Sequence, residues 1–178
     1  MALAGKTFTQ RAVICTTEVY DRLKHANNSL SVTGQLLGYR KEFVKKIVVP
    51  ENMIGNDAYT YFLCITSGYK YKYVPTAISY FTAPKTLWDQ IKQNTRYQAV
   101  PIRMSKYFGE ELVKKEGYIP PFLIAESLVI EFLQHPILCS YIFGINMYCR
   151  LRVRFVESKL NGTWAVAHST KKHDTNIV

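Results

Sequence analysis

The chain has 178 residues, 48% of them hydrophobic, and its 23 Lys and Arg against 13 Asp and Glu give a formal net charge of +10. A chain of this length buries roughly 70% of its unfolded surface without a disulfide or metal ion, and this hydrophobicity excludes an intrinsically disordered chain. The charge indicates an anionic partner, which is nucleic acid, an anionic membrane or an acidic protein. We expect one globular domain over residues 1–168 and a frayed polar tail over 169–178.

Three regions of the N-terminal half have the composition of β-strands. Residues 7–19 and 42–49 are rich in β-branched and aromatic side chains, which favours strands. Residues 59–74 form a third strand region, broken near Ser67–Gly68. Residues 20–26, between the first two regions, are expected to form a short helical turn.

Helices are predicted in the second half of the chain. Pro84 suits the first turn of a helix, and the apolar residues after it lie on one helical face, which predicts a helix over 84–96. A second short helix is predicted over 104–115. The apolar spacing within 122–133 favours a helix over a strand.

A long uncharged stretch requires a test for a membrane span. Residues 132–149 are 18 consecutive positions without a charge, which is long enough for a spanning helix. However, the stretch contains polar residues such as Gln134 and Asn146, and Pro136 is expected to break a helix near its start. The composition therefore favours a buried strand over a span.

The clearest period-two pattern lies in residues 145–155. Apolar side chains occupy every odd position, while Arg150, Arg152 and Arg154 occupy even positions. This alternation predicts a half-buried strand with its three guanidinium groups on one face.

A hairpin is predicted after this strand. Asn161–Gly162 is typical of a type I′ turn, and residues 163–167, which include Trp164, have the composition of the returning strand. Together these elements predict an α+β fold, in which a single domain contains an antiparallel sheet with a few helices packed against it.

The sequence contains no recognisable catalytic motif. It has no phosphate-binding loop, nucleophile elbow or zinc-protease motif. Cys15, Cys64, Cys139 and Cys149 show no C-x-x-C spacing and no His placed to complete a zinc set. We expect four buried thiols in a reducing compartment, no cofactor, no metal ion and no enzymatic activity.

Basic side chains are the candidates for binding. Three arginines about 6.6–6.8 Å apart along a strand suit a row of phosphates, and the alternative is a solvated face or pairing with carboxylates such as Glu157. Lysines between Tyr69, Tyr71 and Tyr73 suit single-stranded nucleic acid or a membrane interface, although alternation puts rings and ammonium groups on opposite faces. The candidate membrane- or nucleic-acid-binding residues are Arg150, Arg152, Arg154, Lys70, Lys72, Lys45, Lys46, Lys114 and Lys115.

The C-terminal segment resembles a known family. Residues 153–166, VRFVESKLNGTWAV, are followed by His168 and Lys171–Lys172, and this pattern resembles the C-terminal end of rhabdovirus matrix proteins. The resemblance gives Asn161, Gly162 and Trp164 a structural role in the hairpin. The chain lacks a Lys-rich arm and the P-T-A-P and P-P-x-Y motifs of animal-virus members, so it is more similar to the short members of plant viruses.

The resemblance implies a non-enzymatic virion protein that self-associates and condenses the viral nucleocapsid. Such a protein binds the inner leaflet of an anionic membrane during assembly, as a peripheral membrane protein in the host cytoplasm or nucleus. The alternative is a basic RNA-binding protein, such as a viral silencing suppressor, whose affinity would fall steeply with salt. A small enzyme with an unrecognised site is a third hypothesis.

Overall fold

A computed structural model describes residues 7–23, 28–32, 34–160 and 162. Within these residues the fold is helical and contains no β-strand. The predicted α+β fold with an antiparallel sheet is therefore wrong.

The described residues form a series of helices joined by short connections. A 3₁₀ turn at Ser29–Ser31 follows the first helix, and another at Glu157–Lys159 follows the last. The α-helices are α1 (Phe8–Leu23), α2 (Lys41–Val44), α3 (Asn56–Thr66), α4 (Leu87–Phe108), α5 (Glu110–Glu116), α6 (Pro121–Gln134) and α7 (Pro136–Val156).

Helix α7 joins two groups of helices. It packs against α4, which also contacts α3 and α5, and it packs against α1, which also contacts α6. The larger core cluster lies between α3 and α4 and contains Met53, Tyr59, Tyr61, Phe62 and Met104. A smaller cluster of Ile54, Ala99 and Val153 lies between α4 and α7.

Helix α1 occupies the region predicted as the first strand. Its buried residues include Thr9, Ala12 and Cys15, whose spacing of three is helical. The hydroxyls of Thr16 and Thr17 donate hydrogen bonds to carbonyls four residues earlier, at 3.3 and 3.1 Å. The helix thus accommodates these β-branched side chains, and tertiary packing outweighs their preference for strands.

The other two strand predictions in the N-terminal half are also wrong. The short helix α2 and a turn replace the strand over 42–49, and α3 replaces the first part of the strand over 59–74. The predicted break is present, because α3 ends at Thr66 and Gly68 has a φ of 78°. Residues 69–74 have no regular secondary structure.

The helix predicted over 84–96 is present but longer. Thr86 caps it, with its hydroxyl accepting a hydrogen bond from the Asp89 amide at 3.2 Å. The helix continues through Pro101 because Arg103 and Met104 beyond it are buried in the core. Gly109, with a φ of 88°, separates α4 from α5, so the helix predicted over 104–115 is two helices.

The helix predicted over 122–133 is confirmed as α6, whereas the strand predicted over 145–155 is wrong. The alternation arises because α7 has two apolar faces. Cys149 and Val153 are buried against α4, while Met147, Leu151 and Phe155 are exposed. Within the buried set and within the exposed set, the residues are four apart and so share a helical face. Because the two sets alternate, together they also give the period-two pattern of a strand.

The uncharged stretch 132–149 is not a buried strand either. It contains the end of α6 and most of α7. The helical break expected near Pro136 is present, because α6 ends at Gln134 and His135 is not helical. Pro136 then begins α7, where the first helical positions need no amide donor.

The predicted hairpin is also wrong, because its first strand is the end of α7. Asn161, Trp164, the returning strand over 163–167 and the tail over 169–178 lie outside the described residues. Gly162 lies against another loop, since a Cβ there would be 2.5 Å from the Glu51 carbonyl oxygen and 3.0 Å from that of Met53.

A buried ion pair fixes the end of α7 to α4. Arg103 Nε lies 2.8 Å from Glu157 Oε1, and Lys106 Nζ lies 2.6 Å from Glu157 Oε2. Burial alone would raise the pKa of Glu157, but the hydrogen bonds from Lys106 and Arg103 outweigh it and hold the pKa below its ordinary value. Glu157 therefore pairs with α4 and not with the arginines of α7.

Candidate functional site

The helix separates the three arginines that were predicted to form one row. Arg150 and Arg154 are exposed and lie one turn apart on the outer face of α7. Arg152 is half-buried on another face, near the Cys149 thiol whose pKa it affects. Two of the three predicted residues are therefore brought together.

The lysine candidates lie in two other regions. Lys45, Lys46, Lys70 and Lys72 are exposed, and the ammonium of Lys46 lies 5.3 Å from the centre of the Tyr69 ring. Lys114 and Lys115 are on α5, where Lys114 pairs with Glu110 at 2.6 Å. Neither group belongs to the same helical surface as Arg150 and Arg154.

The tyrosines between the lysines are already engaged by the fold. The Tyr69 ring packs against Phe43 with centroids 5.1 Å apart. The Tyr71 ring packs on Tyr61 at the same centroid distance, and its hydroxyl donates to the Ser31 carbonyl at 3.1 Å. These contacts support the reading as core tyrosines beside solvated lysines and disfavour base stacking.

An apolar stripe runs along the outer face of α7. Phe143, Met147, Leu151 and Phe155 are spaced four apart and exposed, with Phe155 78% exposed. Arg150 and Arg154 border this stripe, and no acidic side chain of α7 interrupts it. The face combines insertable apolar side chains with cationic groups.

Helix α6 has its polar and apolar residues inverted. Ser127 and Glu131 are 6% and 2% exposed, whereas Val129 and Leu133 are 57% and 77% exposed. A helix on the surface of an isolated globular chain normally shows the opposite arrangement. The outer side of α6 therefore has the character of a surface that another body covers.

Exposed apolar residues of α6 line a groove that Phe143, at one end of the α7 stripe, also lines. A cavity of about 660 Å³ opens between α1, α6 and α7, and its lining is largely apolar. We call its rim and the α7 stripe together the apolar face. This face comprises Leu128, Val129, Phe132, Leu133, Phe143, Met147, Leu151 and Phe155.

A cluster of potential metal ligands lies at the same groove. Ligand atoms of Cys15, Glu131 and His135 all lie within 4.8 Å of one another. Cys15 and Glu131 are buried and His135 is exposed. Burial and the adjacent Glu131 carboxylate raise the pKa of the Cys15 thiol to about 12.

The thiols are poor candidates for nucleophilic catalysis. Cys15 and Cys149 are buried, Cys64 and Cys139 are half-buried, and all four are free. Desolvation raises the thiol pKa at each of them. Because the thiolate is the reactive form, these groups are chemically quiet in the absence of a bound cation.

Comparison with known proteins gives no relative. No family model matches the chain, and no significant match exists among the curated proteins or the solved structures. Across the described residues, no helix combines the length and the apolar character that a membrane span requires.

Sequence reasoning missed both the apolar face and the ligand cluster. The signal for the face was the spacing of four between Phe143, Met147 and Leu151, which competed with the period-two pattern. The signal for the cluster was the spacing of Glu131 and His135, which are four residues apart. Cys15 is too far away along the chain to be linked to them by spacing.

Proposed function

We propose that this chain is a non-enzymatic assembly protein of the matrix type, which attaches to an anionic membrane surface through the apolar face of α6 and α7. The observation that carries the proposal is the exposed stripe of α7 with Arg150 and Arg154 along its border. Helices that lie in a membrane interface have this arrangement, with apolar side chains in the acyl region and basic groups at the headgroups.

Charge complementarity selects an anionic surface over a second copy of the chain. A symmetric contact through the α7 stripe would bring Arg150 and Arg154 of each copy together, and no acidic residue of α7 borders the stripe. The exposed Glu126 of α6 is the one acidic group on the outer side of that helix. Like charges in contact oppose association, whereas anionic headgroups neutralise them.

The expected affinity of one chain is modest. Each inserted apolar side chain contributes on the order of 1 kcal/mol, and each arginine near an anionic surface contributes about 1 kcal/mol. Four stripe residues and two arginines therefore supply about 6 kcal/mol before the cost of immobilisation. Such weak attachment gains strength when several copies act together, as in the self-associating layer that the resemblance implies.

The resemblance to rhabdovirus matrix proteins supports the proposal in part. Its segment begins in the last turn of α7, so its first residues are helical and not the strand that the resemblance implied. Most of the rest of the segment after Leu160 lies outside the described residues. The proposal therefore rests on the apolar face. RNA binding through the lysines is the competing function, and the engaged rings of Tyr69 and Tyr71 weigh against its stacking form.

Vesicle binding tests the proposal. The chain should sediment with vesicles that contain phosphatidylserine and bind vesicles of pure phosphatidylcholine weakly. The R150A/R154A variant should bind anionic vesicles about thirtyfold less tightly, since about 2 kcal/mol is lost. Leu151→Asp should weaken binding at least tenfold, because a charge replaces an inserted side chain.

Matched variants separate this surface from general charge and hydrophobicity. K114A/K115A removes two positive charges from α5. Val48→Ser removes an apolar side chain from a loop, where it is 76% exposed. Both should bind vesicles like the unmodified chain. Membrane attachment would be refuted if the control variants lost as much vesicle binding as the α7 variants. It would also be refuted if the unmodified chain did not bind vesicles and formed a lipid-free oligomer that Leu151→Asp abolished. Salt-sensitive RNA binding without vesicle binding would select the RNA alternative.

A further inference from the structure

The ligand cluster at the groove has chemistry that the apolar face does not explain. Glu131 interrupts the most apolar part of α6 and is 2% exposed. Its Oε2 accepts a hydrogen bond from Arg22 Nη1 at 2.9 Å, while the Cys15 thiol lies beside the same carboxylate. The Arg22 guanidinium already compensates the charge of this carboxylate, and what remains unexplained is that a thiol and an imidazole converge on it.

The backbone holds two of the ligands together at the junction of α6 and α7. The His135 amide donates to the Glu131 carbonyl at 2.9 Å, and His135 itself, with a φ of −138° and a ψ of 59°, lies between the two helices. Cys15 approaches these two residues from α1.

The distances suit a small cation after limited side-chain adjustment. Tetrahedral zinc bonds of about 2.0–2.3 Å place neighbouring ligand atoms about 3.3–3.8 Å apart. The ligand atoms of Cys15, Glu131 and His135 lie within 4.8 Å, so closure needs shifts of about 1 Å. Because His135 is exposed, an ion can enter from solvent.

The choice of donors indicates the ion. A thiolate, an imidazole and a carboxylate suit zinc, whereas magnesium and calcium take oxygen ligands. One thiolate and one carboxylate would neutralise the charge of a dication, and solvent can complete the coordination on the exposed side of His135.

We propose that Cys15, Glu131 and His135 form a zinc site that ties α1 to the junction of α6 and α7. On binding, the Cys15 thiol releases its proton to solvent as the sulfur–zinc bond forms. The site would fix the two helices that carry the apolar face. The proposal is independent of membrane attachment.

Metal titration of the full chain tests this site. The metal-free protein should bind one Zn²⁺ per chain in competition with a chromophoric chelator, and its Tm should rise by about 5–10 °C at a hundredfold excess over Kd. Co²⁺ in place of Zn²⁺ should give a thiolate-to-metal charge-transfer band. His135→Gln replaces an exposed ligand without disturbing the core, and it should weaken zinc binding at least tenfold.

Control variants make the outcome unambiguous. Cys64→Ser removes a thiol from α3, and H168Q/H173Q removes the imidazoles nearest the C-terminus, so both should keep the affinity of the unmodified chain. Cys15→Ser should abolish the charge-transfer band or weaken it severely. The site is overturned if His135→Gln binds zinc as tightly as the unmodified chain, or if H168Q/H173Q loses zinc binding. It is also overturned if the Co²⁺ form shows no thiolate band.

Discussion

Replacing Arg103 by methionine should destabilise the fold far more than replacing its neighbour Lys106, although both side chains contact the Glu157 carboxylate. The Arg103 side chain is 5% exposed and the Lys106 side chain is 55% exposed. Burial, not the presence of an ion pair, should therefore decide the difference between the two variants.

The magnitude follows from the partners that lose a donor. The Arg103 guanidinium donates to Glu157 Oε1 at 2.8 Å and to the carbonyls of Glu157 and Leu160 at 3.0 and 3.2 Å. It also donates to the Asn52 carbonyl. Methionine fills a similar volume but leaves these acceptors without their donor, so Arg103→Met should lower the free energy of unfolding by about 3–5 kcal/mol. Lys106→Met should cost about 0.5–1 kcal/mol, because its ammonium is largely hydrated.

Urea unfolding followed by far-ultraviolet circular dichroism measures both values, because the described fold is helical. The comparison holds if the m-values of the two variants agree with that of the unmodified chain. An Arg103→Met variant within 1 kcal/mol of the unmodified chain, or two variants of equal stability, would show that this buried pair does not hold α7 to α4.

Two further predictions concern the same end of α7. The folded-state pKa of Glu157 lies below its ordinary value of 4.5, so its contribution to stability is present above that value and is lost as the pH falls through the folded pKa. Urea titrations over acidic pH should show this loss, and Glu157→Gln should flatten it. Gly162→Ala should destabilise the chain by about 1–3 kcal/mol, because its Cβ would meet the Glu51 carbonyl at 2.5 Å. A thermal midpoint equal to that of the unmodified chain would refute this clash.

The helices with strong local signals could be predicted from the sequence. Helix α4 begins close to a proline and is capped by Thr86, and α6 has apolar residues at helical spacing. The length of α4 could not be predicted, since its continuation past Pro101 depends on the burial of Arg103 and Met104 by residues distant in the sequence. Local rules identify where a helix begins more readily than where packing allows it to end.

The strand predictions failed for two different physical reasons. In α1, β-branched residues favoured a strand, while the helical spacing of Ala12 and Cys15 carried the correct signal. In α7, apolar residues at every second position were taken as one buried face. Half of them, including Met147 and Leu151, face outward, so hydrophobicity did not report burial there.

The predicted arginine row depended on the incorrect strand prediction for α7. A strand would have placed Arg150, Arg152 and Arg154 in one row, whereas the helix turns Arg152 to another face and leaves Arg150 and Arg154 as neighbours beside the apolar stripe. The cationic groups therefore border a hydrophobic surface instead of forming a phosphate track. Arg150 and Arg154 remain candidates, but their neighbours differ from those of the row that the sequence predicted.

The inversion of α6 connects the two proposals. The apolar outer side of α6 gains little from packing within the chain, while on the inner side Arg22 of α1 pairs with Glu131, with Arg22 Nη1 2.9 Å from Glu131 Oε2. That ion pair has a half-exposed partner and contributes modestly. A zinc ion at Glu131 and Cys15 would strengthen the inner contact, and a membrane would cover Val129 and Leu133 on the outer side. The two sides of one helix would thus be stabilised by different partners, and each partner can be removed experimentally without the other.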